Sequence, residues 1–183
     1  MSKAAILAGV ALSLSAAASA DTLDFSSLSQ GSQGTTALVL SNATITSYGQ
    51  DLFVGAAGIG KEICALNYGN CQADMRISFN YAISGLTFVT SGWQSGDLIT
   101  VSAYDGATLL GSVDHATNGL VDLSAYSHVT SIYMDDQSTA AGVAYDHFNF
   151  NIAAVPEPET YAMLLAGLGL MGTVARRRKA KQA

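Results

Sequence analysis

Both prolines of this chain stand two residues apart, Pro156 and Pro158, and the 155 residues before them contain none. Proline has a fixed φ and no N–H, so it breaks helices and is excluded from central strands. A proline-free stretch of this length can run through a sheet without interruption. Its content agrees: short runs rich in Thr, Val, Ile, Phe and Tyr, parted by Gly, Asn, Asp and Ser. Such runs are strand formers joined by turn formers. The runs predict strands at Thr22–Phe25, Thr36–Leu40, Ala43–Tyr48, Leu52–Val54, Arg76–Asn80, Leu86–Thr90, Leu98–Tyr104, Thr108–Val113, Val129–Met134 and His147–Ile152. From Leu98 to Tyr104 polar and apolar faces alternate, and Asp105-Gly106 predicts a tight hairpin into Thr108–Val113. Phe148, Phe150 and Ile152 share one face of the last strand. Gly55 to Leu66, with Gly55, Gly58 and Gly60, reads as a loop with at most one helical turn. About ten short strands predict an all-β fold, an antiparallel β-sandwich.

The ends of the chain are of another kind. Lys3 followed by the apolar run Ala4 to Leu14 and then Ala18-Ser19-Ala20 reads as a signal peptide over residues 1–20, with Asp21 as the new N-terminus. No cysteine stands at the cleavage point, which argues against a lipoprotein. At the other end, Val155-Pro156-Glu157-Pro158-Glu159 is held extended by its prolines. Thr160 can cap a helix, and Glu157 and Glu159 suit its positive end. The uncharged run from Tyr161 to Ala175 would span roughly 23 Å as a helix, somewhat less than a ~30 Å hydrocarbon core. Arg176 can snorkel and Tyr161 can sit at the interface, which narrows the gap. The predicted transmembrane helix is therefore 160–175, and the basic tail 176–183 places the C-terminus in the cytoplasm.

These three parts in this order, Val155-Pro156-Glu157-Pro158, the apolar run and the Arg-rich end, resemble the PEP-CTERM sorting signal of Gram-negative bacteria. The resemblance implies export, a transient stay in the inner membrane and processing near the Pro-Glu-Pro motif by an exosortase. It also implies a setting of exopolysaccharide and biofilm, with the product at the cell surface or outside the cell. The stretch Ile99 to Val113, with Ala144 to Phe150, resembles ectodomains of the same group, which look like jelly-roll or galactose-binding-like sandwiches. In those a closing Ile-Asp-Asn strand stands where this chain has Tyr145-Asp146-His147-Phe148. The likeness to related carbohydrate-binding modules implies a structural Ca²⁺ held by Asp146, with Asp24 as a looser candidate.

Between the signals lie residues 21–154, enough for one domain with a sizeable core. Eleven Asp and Glu62 oppose only Lys61 and Arg76 there, leaving a net charge of −10. That balance repels nucleic acid and anionic lipid and makes divalent cations natural partners. Turn chemistry accounts for most of the aspartates. Cys64 and Cys71, the chain's only cysteines, are expected to pair in the oxidising compartment that export implies. Nothing in the sequence forms a catalytic pattern. His115, His128 and His147 are scattered, no G-x-S-x-G elbow occurs, and Glu62 sits in the Gly-rich loop. Asp135-Asp136 would point to opposite faces of a strand, as at a solvated strand end. The expected role is non-enzymatic, with a secreted hydrolase as a remote alternative. For a glycan, Trp93 in Ser91-Gly-Trp-Gln-Ser-Gly96 is the stacking candidate, unless its ring plugs the core under that loop. Tyr48, Tyr68 and Tyr126 lie in similar loop-like surroundings.

Overall fold

The structure is a computed structural model that describes residues 19–55, 61–139, 141–152, 164–169 and 171. The chain divides into two units, Ala18–Ala153 and the residues on either side of it. In the outer unit, residues 164–169 and 171 are helical. Among the described residues no helix is long and apolar enough to cross a membrane. Most of the span expected at 160–175 lies outside the described residues, as do the Pro-Glu-Pro segment, the basic tail and residues 1–18 of the leader.

The inner unit is antiparallel β-sheet. Its strands are β1 (Ser19–Leu23), β2 (Gly31–Ser32), β3 (Ala37–Val39), β4 (Ala43–Ser47), β5 (Asp51–Gly55), β6 (Glu62–Leu66), β7 (Met75–Ser91), β8 (Ile99–Asp105), β9 (Thr108–His115), β10 (Gly119–Asp122), β11 (Val129–Asp136) and β12 (Ala144–Ile152). The path of neighbours runs β2-β5-β6-β12-β7-β11-β8-β9, with β1 on β12, β10 and β4 on β7, and β3 on β4. Ser19 and Ala20, expected to leave with the signal peptide, extend β1 opposite Ile152 and Asn151.

β7 organises this sheet, because its partners change along its length. Met75 to Phe79 lie between β4 and β11, whereas Thr87 to Thr90 lie between β12 and β10. At Ile83 both β11 and β12 are neighbours, Val129 on one side and Ile152 on the other. One edge of β7 therefore carries β4 and then β12, and the other carries β11 and then β10. The interior face also changes phase along the strand. Met75, Ile77, Phe79 and Ile83 are buried, then Leu86, Phe88 and Thr90. A residue must be absorbed between the two sets, since side chains alternate with period two. Gly85 absorbs it, at φ 65°, where β12 advances two residues while β7 advances three. A glycine bulge of this kind is conformationally open to a residue without Cβ.

Three expectations are corrected here. Arg76–Asn80 and Leu86–Thr90 are one strand, since the bulge at Gly85 keeps the ladder running. The last part of Gly55 to Leu66 is strand β6, paired with β5 along its whole length. Glu62, expected in a loop, is thus a strand residue and 1% exposed. Cross-strand bonding outweighs the local glycine signal there. β10 was not expected at all.

The interior is apolar and aromatic. Phe148 stacks on Phe88 at 4.8 Å between ring centres and meets Phe25 edge-on at 6.2 Å. Burying each ring contributes roughly 1.5–3 kcal/mol of apolar transfer. Tyr145 also reaches Phe88, at 6.1 Å. Residues 145 and 148 would face opposite ways in a regular strand. His147, at φ 53°, makes a second bulge that turns both inward.

Candidate functional site

The bulge at His147 builds the first of two acidic corners. With Tyr145 and Phe148 directed to the core, Asp146 is nevertheless 3% exposed, close enough to feel the charges of Glu62 and Asp24. Its Oδ2 pairs with His147 Nδ1 at 2.9 Å, and its Oδ1 has no hydrogen-bond partner. Burial pushes the Asp146 carboxyl up; the His147 N–H and ring oppose that, and Glu62 and Asp24 add to it. Asp24 is exposed, and its Oδ1 accepts both the hydroxyl and the N–H of Ser26, which hold it below the usual carboxylate range. Lys61 extends its ammonium to the carbonyls of Ser26 and Leu28. Asp24 and Asp146 lie within electrostatic reach of one another. Asp146 Oδ2 is paired with His147, Asp24 Oδ1 with Ser26, and the Ser26 and Leu28 carbonyls with Lys61, while Asp146 Oδ1 is left without a partner. Among the described residues no group of three or more His, Cys, Asp or Glu side chains is arranged to hold a metal.

The second corner forms where the chain leaving β11 runs back along the chain entering β8. Gln137 N donates to Leu98 O at 2.9 Å and Thr139 N to Gly96 O at 3.3 Å. This ladder brings Asp136 within electrostatic reach of Asp97. Asp97 is 5% exposed; its Oδ2 accepts the Gln94 N–H at 2.7 Å and its Oδ1 has no partner. Asp136 Oδ1 accepts the Ser138 N–H at 2.9 Å, and Oδ2 has no partner of normal geometry. Burial pushes the Asp136 carboxyl up and Asp97 adds to it, against the Ser138 hydroxyl and the backbone N–H groups of Ser138 and Val143. Asp136 was expected at a solvated strand end; Asp74, which accepts its N–H at 3.0 Å, and the folded-back loop largely cover it. Tyr145 Oη, fully buried and without a partner, faces the charges of Asp136 and Asp74, and burial raises its hydroxyl pKa strongly.

Cys64 and Cys71 brace this corner. Their sulfurs are 1.99 Å apart and their Cα atoms 5.4 Å. Cys71 N donates to Ala141 O, and Cys71 O accepts from Val143 N. Gly142 lies against Cys71 so closely that a Cβ there would come 1.8 Å from Cys71 O.

The aromatic candidates separate. Trp93 is part-buried against the core; its Nε1–H donates to Thr90 Oγ1 at 3.0 Å and its ring meets His115 edge-on at 5.7 Å. That geometry is the plug under the loop rather than an open stacking face. Tyr126 packs on the core, with its hydroxyl over Gly111. Tyr68 is exposed at the tip of the disulfide loop, at φ 48°. Tyr48 belongs to a surface that sequence reasoning did not assemble. Thr46, Arg76, Tyr133, Ser102 and Ser112 form one cross-strand row over β4, β7, β11, β8 and β9. The Arg76 guanidinium lies 5.1 Å from the Tyr104 ring centre and 5.4 Å from that of Tyr133, and donates to Ser131 Oγ at 2.9 Å. Tyr48 meets Tyr133 edge-on at 5.6 Å, and Tyr133 donates its hydroxyl to Asp74. The alternation that puts Thr100, Ser102 and Tyr104 on one face was the available signal. The three histidines stay on different elements: His115 ends β9, His128 precedes β11 and His147 lies in β12.

Among curated proteins none matches the chain. Residues 154–179 match the model of the PEP-CTERM protein-sorting motif, which takes in Val155, Pro156, Glu157 and Pro158, the apolar run and the arginines. The chain carries, at its C-terminal end, the signal of an exported protein addressed to an exosortase.

Proposed function

We propose that this is an exported β-sandwich protein that an exosortase sorts from the inner membrane, and that it acts without catalysis at the cell envelope or in an extracellular matrix associated with exopolysaccharide. The sorting motif at 154–179 carries this reading. Residues 1–20 serve as the signal peptide and leave Asp21 first. Residues 160–175 hold the precursor in the membrane with 21–154 outside. The change of partners along β7 supports a sandwich, because a strand shared by two sets of neighbours joins two sheets when it bends. The disulfide-distance cysteines suit an oxidising compartment. The test is intact-mass measurement on released protein together with the double change Pro156→Ala and Pro158→Ala. The wild-type product should lack Tyr161 to Ala183, and the variant precursor should stay in the inner membrane. Released protein that retains Arg176 to Lys181 would refute the reading.

A carbohydrate-binding role is a second reading, favoured by the row around Arg76. Its hydroxyls, guanidinium and tyrosine rings are the groups that hydrogen-bond and stack on sugars. A glycan array on wild type, Tyr48→Ala and Trp93→Phe separates the candidates. Loss with Tyr48→Ala places the platform on the sheet face, loss with Trp93→Phe alone places it at the loop, and no binding removes the reading.

A further inference from the structure

Among the described residues no cationic side chain pairs with Asp97 or Asp136. The cationic side chains among the described residues are Lys61 and Arg76. Lys61 is committed to the Ser26 and Leu28 carbonyls, and Arg76 to Ser131 and the Tyr104 and Tyr133 rings. The ion pair that a histidine makes is at Asp146, in the other corner. Two carboxylates are therefore held in low dielectric by the Gln137–Leu98 and Thr139–Gly96 backbone bonds, each with one oxygen uncommitted. Buried like charges of this kind are costly unless something positive joins them. A neutral oxygen is also without a partner there: Tyr145 Oη, fully buried and facing the charge of Asp136. Unpaired buried oxygens collected from three segments call for an occupant that accepts many oxygens at once.

We propose that Asp97 and Asp136 bind a divalent cation of the calcium type, each through its free carboxylate oxygen, with neutral oxygens and water completing the shell. Calcium takes six to eight oxygen ligands in flexible geometry, which suits a site with few carboxylates. Two carboxylates imply weak binding, on the order of 10⁻⁴–10⁻³ M, the range of extracellular modules. The ion would fasten the loop before β8 to the chain leaving β11, next to the Cys64–Cys71 bridge. This site is separate from Asp24 and Asp146, where His147 pairs with the Asp146 carboxylate and Lys61 binds the adjoining loop carbonyls.

The experiment uses the full-length chain in detergent, stripped with chelator, melted with and without CaCl₂. Calcium should raise Tm by about 5 °C or more at roughly a hundredfold excess over Kd. The shift should vanish in Asp97→Asn and in Asp136→Asn and persist in Asp146→Asn. If either of the first two variants fails to fold, Tb³⁺ luminescence decides. Emission sensitised by neighbouring tyrosines and displaced by Ca²⁺ should occur in wild type and in Asp146→Asn alike. The proposal is overturned if calcium does not move Tm, if the shift survives in both Asp97→Asn and Asp136→Asn, or if Asp146→Asn alone abolishes it. It is equally overturned if acidification raises Tm while calcium does not, since a shared proton would then neutralise the pair.

Discussion

The two acidic corners differ less in their acids than in what faces them. At one, Asp146 is buried beside Glu62 with Asp24 near, but His147 stands 2.9 Å from its carboxylate and Lys61 organises the adjoining loop. At the other, Asp97 and Asp136 have backbone N–H donors and, among the described residues, no cationic side chain paired with them. A net charge of −10 over the domain would have assigned both equally. The placement of three basic groups separates them. A carboxylate cluster becomes a candidate for an ion only after the protein's own cations have been assigned.

Substitutions can break this contrast or sharpen it. The largest effect is expected at Gly142, which sits at φ 79° with no room for a Cβ beside Cys71 O. Gly142→Ala should destabilise the protein by at least about 3 kcal/mol, combining backbone strain with a forced shift of the second corner. Urea unfolding measures it, and a loss below about 1 kcal/mol would show that the corner relaxes freely. Next is the bridge. Cys71→Ser should cost roughly 2–3 kcal/mol by the loop-entropy model and leave the β-sheet circular dichroism spectrum in place. In the exported wild type, alkylation without reduction should label neither cysteine, and labelling of both would refute the pair.

Smaller effects belong to the first corner. Lys61→Met keeps the aliphatic stem and removes the ammonium from the Ser26 and Leu28 carbonyls. About 1 kcal/mol is expected, with faster amide hydrogen exchange confined to the segment after β1. Exchange that rises equally around Asp97 would mean the corners are coupled. The smallest effect is a pH dependence at Asp146, which faces His147, Glu62 and Asp24. Its carboxyl is raised in the folded state, so folding favours the protonated form. That contribution is present below the ordinary carboxylate range and is lost as pH rises through the folded value. Asp146→Asn should therefore compare best with wild type near pH 7 and lose ground steadily toward about pH 4. Melting curves across that window measure the difference. A constant difference would mean that His147 holds the carboxylate ionised throughout.

What could be read from the sequence was local. The tail declares itself because prolines, an apolar run and arginines act through chain order and composition, with no need of a partner strand. The hairpin at Asp105-Gly106 and the alternation from Ile99 to Tyr104 are likewise short-range, and β8 and β9 pair as expected, with Asp105 opposite Thr108. The cysteine pair followed from compartment and spacing, and the sulfurs lie at bonding distance.

Tertiary structure decided what depends on partners distant in sequence. A period-two pattern carries no information about where one residue will be absorbed, so the single strand β7 looked like two, and the last strand was expected to begin only at His147. The bulges at Gly85 and His147 resolve both, because each ladder has to match the interior phase of its neighbours. The burial of Glu62 likewise comes from β5 lying alongside β6, which overrides the glycines before it. Asp97 and Asp136 are 39 positions apart, and no local signal joins them; backbone bonds between the loops that carry them do. The sequence by itself determined an exported, all-β chain with a sorting tail. Which of its aspartates lie buried together, and which of them meet a cation of the protein's own, was settled by long-range strand pairing, since only that fixes the distances over which charges act.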